Sequence, residues 1–263
     1  MAYIFRNTDH SVEQSDRKHS YRRFFATLGA AALLPLTMHA LNPSVPPGSN
    51  FNMTYWELQL PIGSTGNPTT ESSSALQNGY ENFSYFFTES GDGAMVMKDP
   101  GVNCVTTPNS AHCRTELREV NPSNGQAASW DPNAATNRLQ ATVVVTNAGD
   151  ETVIGQIHID DSVSSKPVCE LFYNSSGDIS MGVEQTRSGG NEIRTSLGNV
   201  PVGTQFTYEI EYSGNVLKVA INGNFTTLST YSLDAPRSYF KAGNYGQHPT
   251  ASDVHFLALT IAH

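Results

Sequence analysis

Positive charge is scarce in this chain. Of its 263 residues, 15 are Lys or Arg against 24 Asp or Glu. Residues 1–40 hold five of the basic and three of the acidic side chains, so the remainder carries ten against 21, a net charge of −11. A surface that negative argues against nucleic acid or an anionic membrane as partner. An anionic ligand stays admissible only if the few basic groups gather in one place. Long apolar runs are missing too: the one before Ala40 is interrupted by Pro35 and is too short to span a bilayer. Cysteine occurs three times, and His112 beside Cys113 lacks the further ligands of a zinc set, so no metal is expected. No segment holds a helical period over three turns, and no internal repeat is visible.

What is present begins with a leader. "RKHSYRRFFATLGAAALLPLTMHA" sets a basic stretch before an apolar run and small residues, the layout of a cleaved secretory signal over residues 1–40. Arg22-Arg23 followed by Phe24-Phe25 is similar to a twin-arginine export signal. The mature chain is therefore expected outside the cell, or in the periplasm of a bacterial host. "LNPSVPPGSN", residues 41–50, reads as a short Pro/Ser linker. Residues 51–263 then form one domain long enough to bury a sizeable core. In an exported protein Cys104 and Cys113 are expected to pair, leaving Cys169 free and buried.

The domain reads as strands. "YWELQLPIG", "GAMVMKDP", "CRTELREV", "NRLQATVVVTN", "TVIGQIHID", "VCELFYN", "DISMGVEQT", "QFTYEIEY", "VLKVAING" and "DVHFLALTIAH" are short, rich in β-branched or aromatic residues, and punctuated by Gly, Asn, Ser and Pro. "TTESSSALQNG" has room for one short helix. Many short strands in one domain predict an all-β antiparallel sandwich or jelly roll.

Three strands depart from the usual half-buried pattern. In "RTELRE" one face carries Arg114, Glu116 and Arg118; in "QIHID" one face carries Gln156, His158 and Asp160. "YFKAGNYGQ" puts Tyr239, Lys241, Gly243, Tyr245 and Gln247 on one face and Phe240, Ala242 and Asn244 on the other. Each row taken alone is ordinary: a ladder of surface ion pairs, a hydrogen-bonded Gln-x-His, packing tyrosines. Together they gather Arg114, Arg118 and Lys241, three of the ten basic residues after position 40, beside amide, imidazole and phenol. That set suits β-elimination on a uronic acid. Arg and amide donors neutralise the carboxylate so that charge can develop at C5, a base takes the C5 proton and an acid protonates the departing O4. Histidine suits the first task near neutral pH and tyrosine the second.

"RTELRE", "QIH" and "YFKAGNYGQ", in this order, resemble the three signature motifs of polysaccharide lyase family 7, the alginate lyases, and "WELQLPIG" is similar to that family's opening strand. The resemblance implies a β-jelly roll with a substrate groove over its concave sheet, alginate as partner and no cofactor. A monomer is expected. Carried over by motif, Arg114 and Gln156 would neutralise the carboxylate, and His158 and Tyr245 would be the catalytic base and acid. Arg118, Glu116, Lys241, Asn244 and Gln247 would contact substrate. Isoleucine at the centre of "QIH" implies guluronate-containing blocks, where valine would imply mannuronate. A jelly-roll glycoside hydrolase is the first rival. It needs two carboxylates about 5–5.5 Å apart for retention, and no Glu-x-Asp-x-Glu row exists here. A carbohydrate-binding module is the second; it would need an aromatic platform but no His158 and Tyr245. Trp130 could serve such stacking or simply pack.

Overall fold

Alternating apolar side chains close a core between two sheets. The computed structural model describes residues 1–2 and 40–263; the signal expected over 1–40 falls, apart from its ends, outside the described residues. The strands are β1 (Trp56–Ser64), β2 (Asn67–Glu71), β3 (Phe86–Thr88), β4 (Met95–Asp99), β5 (Arg114–Glu119), β6 (Arg138–Asn147), β7 (Glu151–Ile159) and β8 (Pro167–Asn174). They continue as β9 (Asp178–Val183), β10 (Ile193–Asn199), β11 (Gln205–Ser213), β12 (Val216–Ile221), β13 (Asn224–Leu228), β14 (Ser238–Gly246) and β15 (Ser252–Ala262). One sheet has eight strands in the order β10-β9-β8-β7-β14-β5-β1-β2, the other seven in the order β13-β12-β11-β6-β15-β4-β3. The strand pairs are antiparallel, and the non-sequential neighbours are the crossovers of a jelly roll.

The hairpin β11–β12 shows how sequence becomes packing. Phe206, Tyr208, Ile210 and Tyr212 alternate inward and are all buried. Tyr208 crosses to the other sheet, where its hydroxyl donates to the Ile154 carbonyl at 2.8 Å, so a buried phenol keeps its hydrogen bond. The short helix expected in "TTESSSALQNG" is α2, Ser73–Gln77, capped by Ser72 Oγ accepting from the Ala75 amide.

Residues 41–50 are not a free linker. Pro47–Asn50 form a helical turn, α1, with Pro47 buried, Leu41 packs against the core, and Asn50 Nδ2 donates to the Asn42 carbonyl at 2.9 Å. Apolar Leu41 and Pro47 make this segment part of the folded body. Cys104 and Cys113 are joined, and Cys169 is free and buried. Burial pushes the Cys169 thiol well up from its usual range, and only a thiolate reacts quickly. A thiol reagent should therefore leave the native protein unmodified and label one cysteine in denaturant. Rapid labelling under native conditions would contradict this burial.

Candidate active site

Register brings the three polar rows side by side. On the outer face of the eight-stranded sheet, β14 lies between β5 and β7: Tyr245 pairs with Arg114, Gly243 with Glu116 and Lys241 with Arg118. On its other side Lys241 pairs with Gln156 and Tyr239 with His158. A bulge between Ala242 and Tyr245 shifts the register against β7, which re-aims the last residues of the strand. The glycine gap has a steric cause. A Cβ on Gly243 would lie 2.6 Å from the Thr115 carbonyl oxygen and 2.7 Å from Glu116 Cα, so only glycine lets β14 approach β5 this closely.

Glu116 is the hub of the network. Its Oε2 accepts from Arg114 Nη1 at 3.0 Å and from Lys241 Nζ at 2.7 Å, and its Oε1 accepts from Gln156 Nε2 at 2.5 Å. All four side chains are buried. Burial alone would raise the Glu116 carboxyl, but the charges of Lys241 and Arg114 outweigh it and hold the group below its ordinary value. Lys241 is driven the other way: burial lowers its pKa more than Glu116 restores it. Two cations and one anion leave the cluster with an excess positive charge. Arg114 and Arg118 each keep a buried Nε–H with no hydrogen-bond partner among the described residues, so donor capacity exceeds what the protein consumes.

Tyr245 and His158 flank this cluster along β14. At one end the Arg114 guanidinium lies 3.7 Å over the Tyr245 ring. Ser110 Oγ sits 2.8 Å from Arg114 Nη2 and 3.4 Å from Tyr245 Oη. At the other end burial, aided by the Lys241 charge, lowers the His158 pKa to about 4, so its imidazole is neutral at pH 7. A cavity of about 200 Å³ lined by Glu57, Gln59 and Thr70 reaches the row at Arg118. A larger one, about 490 Å³, is lined by Tyr55, Glu119, Trp130 and His263 and contains no residue of the row. Size is a poor guide here, because the larger cavity lacks the cation cluster.

Residues 51–263 match the alginate lyase family. The chain belongs to that family. Among its relatives, an alginate lyase from Klebsiella pneumoniae is 26% identical over 82% of this chain and 89% of its own length. The solved family 7 alginate lyase A1-II', in complex with a product (GGG), is 29% identical with a TM-score of 0.75, covering 84% of this chain and 100% of its own. A structure of an alginate lyase from Pseudomonas aeruginosa has 29% identity and a TM-score of 0.71, over 80% of this chain and 99% of its own.

Seen as an alginate lyase, the site gathers Arg114, Glu116, Arg118, Gln156, His158, Lys241 and Tyr245 on one face. It does not gather Asn244. That side chain is fully buried on the core side, accepting from Thr152 Oγ1 and Ser252 Oγ and donating to the Met97 carbonyl. The alternation that turns Tyr245 outward turns Asn244 inward, so Asn244 ties the sheets together and does not touch substrate. Glu116 holds Arg114, Lys241 and Gln156 in place, with three donors on its two oxygens. Gln247 stands past the end of β14, where its Nε2 donates to the Tyr245 carbonyl at 3.2 Å. Trp130 packs: its ring lies 4.7 Å from that of Phe240, and its Nε1 donates to Glu119 Oε2 at 2.9 Å.

Two groups around the row were invisible in sequence. Ser110 comes from a loop. On the far side of Gln156, the paired position on β8 is Glu170, followed by Gly182 on β9, over which Glu192 folds its carboxyl. A Cβ on Gly182 would lie 1.1 Å from Glu192 Oε1. Burial, with Glu192 and Glu116 nearby, pushes the Glu170 carboxyl up to about 8; burial also pushes Glu192 up to about 7 against the pull of Arg194. No single strand signals this pair.

Proposed function

We propose that this alginate lyase cleaves guluronate-containing blocks, with Arg114 and Gln156 neutralising the uronate carboxylate, His158 as base and Tyr245 as acid. The observation that carries the reading is the Glu116-centred cluster, an excess positive charge flanked by a neutral imidazole and a phenol on one open face of an acidic protein. In the reaction the C5 proton passes to the imidazole, the C4=C5 double bond forms, and the C4–O bond breaks. Its electron pair leaves on O4, which takes the Tyr245 proton. Arg118 and Lys241 bind neighbouring uronates.

Support for the block preference comes from Ile157 and from stereochemistry. Ile157 is fully buried beneath the catalytic row, where one methylene adjusts how His158 sits. In guluronate the C5 proton and O4 lie on opposite ring faces, which suits a base and an acid at two ends of the cluster. We also infer that the mature enzyme works outside the cell as a monomer. The leader-like start and the Cys104–Cys113 bond support export, because such bonds persist in oxidising compartments.

The deciding assay follows the absorbance of the conjugated unsaturated uronate on polyguluronate, polymannuronate and the alternating polymer. Initial rates should be higher on the guluronate-containing polymers. A clear preference for polymannuronate would overturn the block assignment, and no chromophore on any of them would overturn the lyase chemistry.

A further inference from the structure

The proton on His158 has its place dictated by what surrounds Nδ1. That nitrogen lies 2.9 Å from the Ile159 carbonyl oxygen, which can only accept. It also lies 2.9 Å from Tyr239 Oη. Tyr239 Oη is in turn 3.0 Å from Asp161 Oδ1. Asp161 is ion-paired to Arg118 Nη2 at 2.7 Å, and a carboxylate accepts hydrogen bonds without donating any. The single phenolic proton of Tyr239 therefore goes to Asp161, and its oxygen is left to accept from Nδ1. Burial pushes the Tyr239 hydroxyl well above its ordinary range, so that proton stays on it.

Both partners of Nδ1 are then acceptors, and Nδ1 carries the hydrogen. Nε2, with no protein partner among the described residues, keeps its lone pair. We propose that Asp161, acting through Tyr239, is a positioning residue that holds His158 in the tautomer whose Nε2 can take the C5 proton. The proposal rests on His158 being the base. When Nε2 gains that proton, the charge on the imidazolium is stabilised along the same line, with Asp161 Oδ1 only 3.9 Å from Nδ1.

Asp161 is half exposed, yet it is held in place. The Arg118 guanidinium stacks 4.3 Å over the Tyr239 ring while bonding the carboxylate, and the Tyr239 and His158 rings stack with centroids 5.1 Å apart. The charged and titratable groups around His158 are Asp161 on its own loop, Tyr239 and Lys241 on β14, Glu116 and Arg118 on β5, and, behind Arg118, Glu57 on β1. Lys241 disfavours the imidazolium; Asp161 and Glu116 favour it.

Asp161→Asn tests this. An amide can donate, which frees Tyr239 to turn its proton toward Nδ1 and move the imidazole proton to Nε2. The kcat should fall tenfold or more near neutral pH, within what general-base catalysis contributes. The acid limb of kcat/KM should move to lower pH, because an anion that favours the imidazolium is gone. The nitrogen-15 shifts of His158 should change from the Nδ1–H toward the Nε2–H pattern, and Asp161→Glu should restore part of each. Wild-type nitrogen shifts in a folded Asp161→Asn enzyme would overturn the proposal, whatever happened to kcat. Full activity in His158→Ala would instead remove the base assignment, a separate failure that the nitrogen shifts do not depend on.

Discussion

Tyr245→Phe should abolish turnover on every alginate block, a loss on the order of 10²–10⁴ for removing a proton donor from the transition state, while His158→Ala should discriminate between blocks. The variant lacks one hydroxyl and keeps the ring over which Arg114 lies at 3.7 Å, so the fold and the cation cluster survive. On guluronate the C5 proton and O4 lie on opposite faces, and one residue cannot serve both; His158→Ala should then be as inactive as Tyr245→Phe. On mannuronate the two lie on the same face, and Tyr245 alone could both take and give the proton. Measuring both variants on both homopolymers separates these routes. If polymannuronate is the better substrate and survives loss of His158, the guluronate reading fails and Tyr245 is both base and acid.

Glu116→Gln should cost more stability than any other single change in the polar row. The carboxylate is buried with two cations within 3.0 Å and an amide donor on its other oxygen. Removing the anion leaves Arg114 and Lys241 buried, mutually repelling and short of an acceptor. Breaking a buried ionic cluster this way typically costs about 3–5 kcal/mol, a large share of the total stability of a domain. Catalysis should fall with it, because Arg114 and Gln156, the groups we propose neutralise the uronate, are no longer held. The pH dependence follows from the lowered folded-state pKa of Glu116. Below its unfolded value the unfolded chain binds the proton first, so the stabilisation is present above about pH 4.5 and is lost as pH falls through the folded value. Urea unfolding of both proteins across pH 3 to 7 would show it. A midpoint for Glu116→Gln equal to wild type at pH 7 would mean the cluster contributes no net stability.

The interior strands were legible in sequence and the edge strands were not. β2 and β10 end one sheet, and β3 and β13 end the other; none of these four stood out as a strand. An edge strand packs against one neighbour and leaves more of itself in water, so its apolar alternation fades. β10 is exposed along most of its length, and β3 has three residues. The three polar rows were legible because period-2 alternation carries polar groups outward even from strands at the middle of a sheet. What alternation cannot report is contact across the fold. Asp161 and Ser110 sit on loops, and Glu170 meets Glu192 only through strand pairing. Asn244 shows the rule from the other side: its place in a motif implied substrate contact, while its parity along the strand put it in the core. The 41–50 segment was misjudged because proline and serine signal a linker, whereas docking depends on Leu41 and Pro47 finding apolar partners.

The Cys104–Cys113 bond straps the Tyr245 end of the site, since Ser110 and His112 lie inside the loop it closes. Closing a loop of this size removes roughly 2–3 kcal/mol of chain entropy from the unfolded state. That constraint falls on the rim that Ser110 lends to Arg114 and Tyr245. Cys104 and Cys113 lie outside the strands of both sheets, so reduction should loosen the rim while the ladders stay paired. The bond therefore ties the loop that carries Ser110 to the first residues of β5, and a reductant should act on that loop before it acts on either sheet.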